Sequence, residues 1–224
     1  MAPHNVISQN TITAEGEIVE KPRLTHNQSK VFASGISVNS RVDKDQLQDC
    51  MYGFCIYKLV HYILSLRTHF PSRRIFLSKI DWKSAYRRAH LHWATAIQSM
   101  SQDGNYLHIA LRATFGGTPN PYDWSVISES VTDLANLLMN DPDWDPSILH
   151  SPIQDQIPPD APLDDTIPFT PALPTVVSAS IDCRSKTDIY LDDETTVALD
   201  DPVVLPRARA AVPLAIHIVS RPLQ

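Results

Sequence analysis

The sequence predicts an α+β fold in which helices pack on an antiparallel sheet of three or four strands. Two segments, residues 45–68 and 122–140, repeat apolar side chains at helical spacing. Short runs rich in β-branched and aromatic residues lie between and after them, and two such runs near the C-terminus flank an acidic turn. A chain of 224 residues is long enough for one domain, or for one domain with an irregular appendage.

The first elements are predicted from periodicity and from helix-ending residues. Residues 1–44 are polar and have no strong period, so we expect mostly loop with occasional short strands. Residues 45–68 predict a helix, which Pro71 follows and whose basic last turn suits the helix dipole. Residues 74–80 predict a strand that leads directly into Asp81, and a helical turn is expected over residues 83–88.

The later elements alternate in the same way. Residues 107–114 predict a strand closed by Phe115, Gly116 and Gly117, and residues 122–140 predict a helix after two prolines. Residues 187–191 and 195–199 predict a hairpin whose turn is the acidic triplet 192–194. Residues 207–220 predict a helix that Pro213 interrupts, and we expect helices on one face of the sheet.

Proline and charge divide the chain into segments. Nine of the eighteen prolines lie between residues 142 and 174, so residues 141–176 are interpreted as an acidic insertion or long loop. The predicted organisation is an N-terminal arm over 1–44, a central part over 45–140, this insertion, and a C-terminal hairpin and helix over 177–224.

The net charge of −6 argues, taken alone, against binding to nucleic acid. However, residues 58–90 contain eight cations and one acid, a local charge of +7, and residues 141–201 contain two cations and fourteen acids, a local charge of −12. The acidity is therefore segregated, and the basic stretch can serve an anionic partner.

Cysteine content and hydropathy bear on the compartment. The three cysteines cannot pair completely, which favours a reducing environment. No stretch approaches the roughly 18 apolar residues of a membrane helix, and the N-terminus has no secretory pattern. We expect an intracellular protein of the cytoplasm or nucleus that is not secreted and has no membrane partner.

Carboxylates at two strand ends suggest a metal site. Asp81 ends one predicted strand, and Asp192 and Asp193 lie in the turn of the predicted hairpin. If these groups converge at one edge of a sheet, they repel one another unless a hard cation such as Mg²⁺ neutralises them. The alternative is structural, because aspartate is common in turns for its own local hydrogen bonding. Both interpretations stay open on this evidence.

Several ordered motifs carry a resemblance to a known family. The string Lys79-Ile-Asp-Trp-Lys-Ser-Ala-Tyr86 resembles the first palm motif of reverse transcriptases, a hydrophobic residue followed by Asp-x-x-x-Ala-(Tyr/Phe). Asp188-Ile-Tyr-Leu-Asp-Asp193 resembles their Tyr-x-Asp-Asp box, and Phe115-Gly-Gly-Thr-Pro-Asn-Pro121 resembles the motif between them. Lys21-Pro-Arg-Leu24 is similar to their fingers segment. The pattern is most similar to the RNA-directed DNA polymerases of eukaryotic retrotransposons, over roughly residues 20 to 220.

This resemblance implies a polymerase palm-like fold and a role for each matching residue. Asp81 and Asp192 would hold two Mg²⁺ ions with the support of Asp193, and Tyr190 would touch the primer end. Tyr86 would exclude a ribose 2′-hydroxyl, Gly116 and Gly117 would let the backbone approach the templating base pair, and Arg23 and Lys21 would contact the nucleotide triphosphate. The expected nucleic-acid surface is the basic group Arg67, Arg73, Arg74, Lys83, Arg87 and Arg88. The implied partners are an RNA or DNA template with its primer, and deoxynucleoside triphosphates.

The sequence also departs from the family pattern. Asp81 and Asp192 are 111 residues apart, which is longer than usual in the family. Only about twenty residues precede Lys21 and about thirty follow Asp193, so partial fingers and no thumb are expected. Without a thumb, fewer phosphate contacts hold the primer and template. Two hypotheses therefore remain: a polymerase domain, active alone or within a larger polyprotein, and a truncated palm remnant without polymerase activity that at most binds nucleic acid.

Overall fold

The computed structural model describes residues 4–13, 15–50, 52–158 and 183–220. The chain divides into two compact units that interleave along the sequence. We call Met1–Asp49 with Ser84–Trp124 the hairpin unit, and Cys50–Lys83 with Ser125–Gln224 the sheet unit.

The sheet unit contains a three-stranded antiparallel sheet. Its strands are β3 (Ile75–Asp81), β6 (Ser185–Tyr190) and β7 (Asp193–Leu199), and β7 lies in the centre, paired with both others. These strands confirm the predictions over residues 74–80 and at the C-terminal hairpin. The α+β fold class with antiparallel pairing is therefore confirmed.

Helices cover both faces of this sheet, so the expectation of helices on one face was wrong. Helix α1 (Cys55–His69) packs on the face of Val197, which joins Cys55, Leu59 and Leu66 in one buried cluster. Helix α3 (Asn120–Asn140) reaches the opposite face, where the Thr132 hydroxyl donates to Glu194. Consecutive β7 residues from Thr196 to Leu199 are all buried, although alternate side chains point to opposite faces, because both faces are covered.

Two helix predictions need correction, one at the start of the helix and one at an internal proline. Helix α1 begins at Cys55 rather than at residue 45, because the preceding segment forms two separate 3₁₀ turns, Lys44–Gln46 and Tyr52–Phe54. Helix α4 (Val204–Ser220) packs against β6 and β7 and continues through Pro213 without a break. The predicted helix over residues 122–140 is confirmed by α3.

The hairpin unit opens with a structure that the sequence did not predict. Strands β1 (His4–Ile12) and β2 (Ile18–His26) pair antiparallel over all nine residues, from His4 opposite His26 to Ile12 opposite Ile18. The expectation of mostly loop was wrong there, because backbone pairing forms this ribbon without a regular alternation of apolar and polar residues.

The predicted strand over residues 107–114 is also largely absent. Strands β4 (Ser101–Asp103) and β5 (Tyr106–His108) form a hairpin of three pairs, with the short helix α2 (Trp93–Gln98) before it. Because β4 offers only three partners, the chain beyond His108 is irregular apart from one bridge between His90 and Arg112. The expected helical turn near residues 83–88 is confirmed as a 3₁₀ turn, Ala85–Arg88.

The described part of the proline-rich segment ends at residue 158. It consists of turns and one 3₁₀ helix, Pro152–Gln156, and the Trp144 side chain is buried. The remainder of the predicted insertion, from residue 159 to 176, lies outside the described residues. Among the helices of the described residues, none has the length and apolar content that crossing a membrane requires.

Candidate active site at the end of the central sheet

Pairing between β3 and β7 brings two of the predicted aspartates together. Asp81, the last residue of β3, lies directly opposite Asp193, the first residue of β7. Residues directly opposite in an antiparallel pair point to the same face, with Cβ atoms about 5 Å apart. The Trp82 amide donates to the Asp192 carbonyl oxygen at 2.9 Å, which ties the chain after β3 to the neighbouring turn.

The turn that carries Asp192 differs from the predicted one. Tyr190 pairs with Asp193, so the loop consists of Leu191 and Asp192 alone, and the residues after it belong to β7. Leu191 has a φ of 59°, in the left-handed region that two-residue hairpin turns require and that glycine or asparagine usually occupies. A leucine in this conformation is strained, and such strain is often found at functional sites.

The three carboxylates and one lysine interact electrostatically. Partial burial raises the pKa of Asp192, and the charges of Asp193 and Asp81 raise it further, whereas Lys79 opposes them. The Lys79 ammonium lies 2.8 Å from a carboxylate oxygen of Asp193, and this hydrogen bond raises the pKa of Lys79. The aspartates are therefore close enough to repel one another, and Lys79 partly neutralises them. Sequence reasoning placed Lys79 in the motif but gave it no role.

Glu194 lies just behind these aspartates and was not predicted as a site residue. It follows Asp193, points to the opposite face of the sheet, and is 1% exposed. The hydroxyls of Thr187 and Thr132 donate to its carboxylate at 2.8 and 3.1 Å, which links β6 and α3 to β7. Burial raises the pKa of Glu194 to about 7, against the lowering effect of these hydrogen bonds. Glu194 could have been identified as a buried residue only if the face of the sheet that each β7 residue occupies had been known.

Tyr190 lies at the same end of the sheet as the aspartates. It is paired with Asp193, its side chain is 48% exposed, and its ring packs edge-on against Tyr52 at 6.3 Å between centroids. Tyr52 is buried and its hydroxyl is 2.9 Å from that of Ser128 on α3. Tyr190 is thus a half-exposed aromatic side chain that packs on Tyr52 and is paired with Asp193, and its contact with a primer end stays a prediction.

The predicted nucleotide-binding residues belong to the hairpin unit. Lys21 and Arg23 are exposed on β2 and point to one face of the ribbon, opposite Gln9 and Ile7. Tyr86 is half-buried, and its ring packs edge-on against Phe115 at 5.2 Å and Trp124 at 6.2 Å. Its aromatic packing explains its presence without a ligand.

Gly116 and Gly117 are explained by packing inside the hairpin unit. A Cβ on Gly116 would lie 2.3 Å from the His26 carbonyl oxygen, and Gly116 has a φ of 102°. A Cβ on Gly117 would lie 2.7 Å from the Asn120 side-chain nitrogen. Asn39 holds this loop from both sides, because its amide donates to the Gly116 carbonyl at 2.8 Å and accepts from the Thr118 amide at 2.9 Å.

The predicted basic surface is distributed over several places. Arg73 and Arg74 precede β3, whereas Lys83 follows it, and a seven-residue strand spans about 20 Å. The Arg73 guanidinium donates to the Asp200 carbonyl at 3.4 Å. Arg67 lies in the last turn of α1. Arg87 and Arg88 lie in the 3₁₀ turn of the hairpin unit.

The donor chemistry at the sheet end fits magnesium in part. Asp81 is exposed and Asp192 and Asp193 are half-exposed, so their oxygens are accessible, and Mg²⁺ typically takes one or two protein carboxylates together with substrate phosphates. No group of three or more His, Cys, Asp or Glu side chains within the described residues forms a metal cage. The three aspartates therefore do not form a metal-binding group by themselves within the described residues, and the magnesium site stays a prediction.

Comparison with known proteins assigns no family to the chain. No family model, no curated protein and no solved structure matches it.

Proposed function

We propose that the chain is a reverse transcriptase-like RNA-directed DNA polymerase domain with a palm-like sheet. The observation that carries the proposal is the register that sets Asp81 opposite Asp193, with Asp192 in the adjoining two-residue turn. The resemblance depends on residue types and their order along the chain, whereas strand pairing is a separate property of the structure. A site for nucleotidyl transfer needs carboxylates that converge at one sheet edge, and the pairing of Asp81 with Asp193 supports the proposal for this reason.

The proposed reaction extends a primer on an RNA or DNA template with deoxynucleoside triphosphates. Asp81 and Asp192 would hold two Mg²⁺ ions, which when bound activate the primer hydroxyl and neutralise charge on the phosphates. Asp193 supports Asp81 across the strand pair, and the Lys79 ammonium balances part of the negative charge. Tyr190 offers an exposed ring on which the last primer base can stack.

A primer-extension assay tests the proposal. The full chain is incubated with an RNA template, a labelled DNA primer, deoxynucleotides and Mg²⁺. Incorporation should occur with the wild type and be lost in Asp192→Asn, which keeps the size of the side chain and removes its charge. Asp188→Asn is the matched control, because Asp188 lies on β6 near the same sheet end but pairs with Lys58 at 3.1 Å. No incorporation by the wild type at any enzyme concentration would rule out polymerase activity of this chain.

The second candidate is a palm-like remnant without polymerase activity that at most binds nucleic acid. The ion pair between Lys79 and Asp193 favours it, because an ammonium here supplies the positive charge that a metal would otherwise provide. This candidate predicts that Mg²⁺ has no measurable effect on the thermal unfolding of the wild type. A rise in unfolding temperature with Mg²⁺ that disappears in Asp192→Asn would instead support the polymerase.

A further inference from the structure

Strand β3 forms one edge of the three-stranded sheet, and a groove within the sheet unit runs along it. β3 pairs with β7 on one side, and within the part of the chain that the structure describes no strand pairs with its other side. The groove has a volume of about 1250 Å³ and is lined by five consecutive residues of this strand, 76–80. Small-molecule sites usually have volumes of about 300 to 1,000 Å³. The groove therefore suits a longer, extended ligand.

The pairing between β3 and β7 determines which backbone groups of β3 stay available. The Asp200 amide donates to the Arg74 carbonyl just before β3, and the Trp82 amide donates to the Asp192 carbonyl just after it. Because bonded and non-bonded pairs alternate in an antiparallel ladder, every second residue between these two pairs bonds to β7. The amides and carbonyls of the other residues point away from β7: Ile75, Leu77, Lys79 and Asp81. Among the described residues, these groups have no hydrogen-bond partner.

The remainder of the groove offers apolar surface and one unused acceptor. Trp144 and Ile157 of the proline-rich segment and Leu205 of α4 line it, together with Phe76 of β3. The side-chain oxygen of Gln154, which also lines the groove, is buried and accepts no hydrogen bond from the described residues. A buried acceptor without a donor costs free energy, and a ligand N–H group that reaches it removes that cost.

An extended peptide matches these features together. Its backbone repeats donors and acceptors at the spacing of the outward groups of β3, and its alternate side chains point into the apolar part of the groove. We propose that the outer edge of β3 binds an extended segment of another protein as a fourth strand, with apolar side chains at every second position. A second copy of the chain fits less well, because it would bring its own groove wall to the same edge. The proposal does not depend on nucleotidyl transfer at the sheet end.

Binding of labelled peptides to the full chain tests the proposal. The probes are three blocked, fluorescein-labelled peptides of about seven residues that alternate threonine with valine, leucine or phenylalanine. At least one should bind with a dissociation constant below about 100 µM, because paired backbone and apolar side chains both contribute. Two N-methylated forms of the best peptide carry methyl groups on the amides of one edge or of the other. At least one form should bind about tenfold more weakly, because a methyl group replaces the hydrogen that a β3 carbonyl accepts.

Amide hydrogen exchange followed by NMR locates the contact on β3. The Leu77 and Lys79 amides point away from β7, so they should exchange about tenfold more slowly when the peptide is bound. The Ser78 amide already bonds to β7 and should change less than about twofold. This alternation is specific to strand pairing, because a ligand that only covers the surface slows neighbouring amides together.

A variant that fills the groove provides a second measurement. Ser78 is exposed and lines the groove, so Ser78→Phe should weaken the best peptide by about tenfold or more. Ser130→Phe is the matched control, an exposed serine of α3 in the same unit and outside the groove, and should change affinity less than about twofold.

Three results would overturn the proposal. They are no binding of any of the three peptides by the wild type, equal slowing of exchange at Leu77 and Ser78, and slow exchange at Leu77 that requires no peptide and increases with protein concentration. The last result would identify a second copy of the chain as the occupant of the edge. If Ser78→Phe does not fold, the exchange pattern of the wild type decides.

Discussion

The buried carboxyl group of Glu194 should make the stability of the sheet unit depend on pH near neutrality. Its pKa is raised by burial from 4.5 to about 7, and the side chain is 1% exposed, so solvent screening is small. A group whose folded pKa is raised holds its proton longer in the folded state. For an acid this stabilises the protein fully below about pH 4.5, and the stabilisation is lost as pH rises through 7.

The size of the effect follows from the shift. Each pKa step of one corresponds to about 1.4 kcal/mol, so a rise from 4.5 to about 7 corresponds to about 3 kcal/mol. Glu194→Gln removes the titration and keeps an oxygen that can accept from the Thr187 and Thr132 hydroxyls. The wild type should therefore lose about 3 kcal/mol relative to this variant between about pH 4.5 and pH 8, with the steepest change about midway between the two pKa values, near pH 5 to 6.5.

Urea unfolding followed by tryptophan fluorescence measures the difference. Trp82 and Trp144 are buried in the sheet unit and report on its unfolding, and a chelator in the buffer keeps divalent cations from the aspartates. Other shifted groups titrate in both proteins and cancel in the comparison. Asp133→Asn is the control, because Asp133 neighbours Thr132 on α3 but is exposed. A difference that does not change with pH, or one in which the wild type gains relative stability as pH rises, would refute the reasoning.

Three further predictions concern the loop, the lysine and the strained backbone. Gly116→Ala should lower the free energy of unfolding by about 2 kcal/mol or more, because the new Cβ would meet the His26 carbonyl. The control Gly35→Ala should cost only about 1 kcal/mol, because Gly35 has a φ of 77° but nothing lies within 4 Å of its added Cβ. Equal losses in urea unfolding would refute the steric explanation. Lys79→Gln should tighten Mg²⁺ binding about two- to threefold in calorimetric titration at low salt, because three carboxylates lose a nearby cation. It should change the free energy of unfolding by less than about 1 kcal/mol, since the ion pair is half-exposed. Weaker Mg²⁺ binding by the variant would instead mean that Lys79 supports the metal site. Ser84→Gly should raise the free energy of unfolding by about 0.5 kcal/mol, because this exposed serine has a φ of 59°, which glycine adopts without strain. A loss of stability in urea unfolding would show that the contacts of the serine side chain stabilise the protein by more than the backbone strain costs.

The elements that periodicity predicted are those in which local pattern and tertiary contact agree. Strand β3 is rich in β-branched and aromatic residues, and helix α3 presents a stripe with Trp124, Val131 and Ala135 buried. Ribbon β1–β2 contradicts that rule, since Val6, Ile12 and Ile18 are each about 70% exposed. Its strands are defined by their pairing with each other, and single-strand patterns do not reveal a partner.

The position of each site residue could be predicted only where the strand boundaries were predicted correctly. Strand β7 begins two residues earlier than predicted, so Asp193 and Glu194 lie in the strand rather than in the loop and point to opposite faces of the sheet. Asp193 therefore lies opposite Asp81 and forms an ion pair with Lys79. Glu194 is buried and accepts hydrogen bonds from threonine hydroxyls. The adjacency of the two acids in sequence gives no indication of this difference.

The strand register is a property of the structure that the short sequence motifs do not determine. Sequence order alone leaves β3 free to pair with either strand of the C-terminal hairpin, and a slip of one residue would turn Asp81 away from the face of Asp193. In the observed pairing β7 is central, Asp81 and Asp193 are directly opposite, and the Trp82 amide binds the Asp192 carbonyl. Gly116 and Tyr86 carry less weight, since packing against His26 and against Phe115 explains both. Loss of activity in Asp192→Asn would therefore test the proposed polymerase more sharply than any change at these two motif residues.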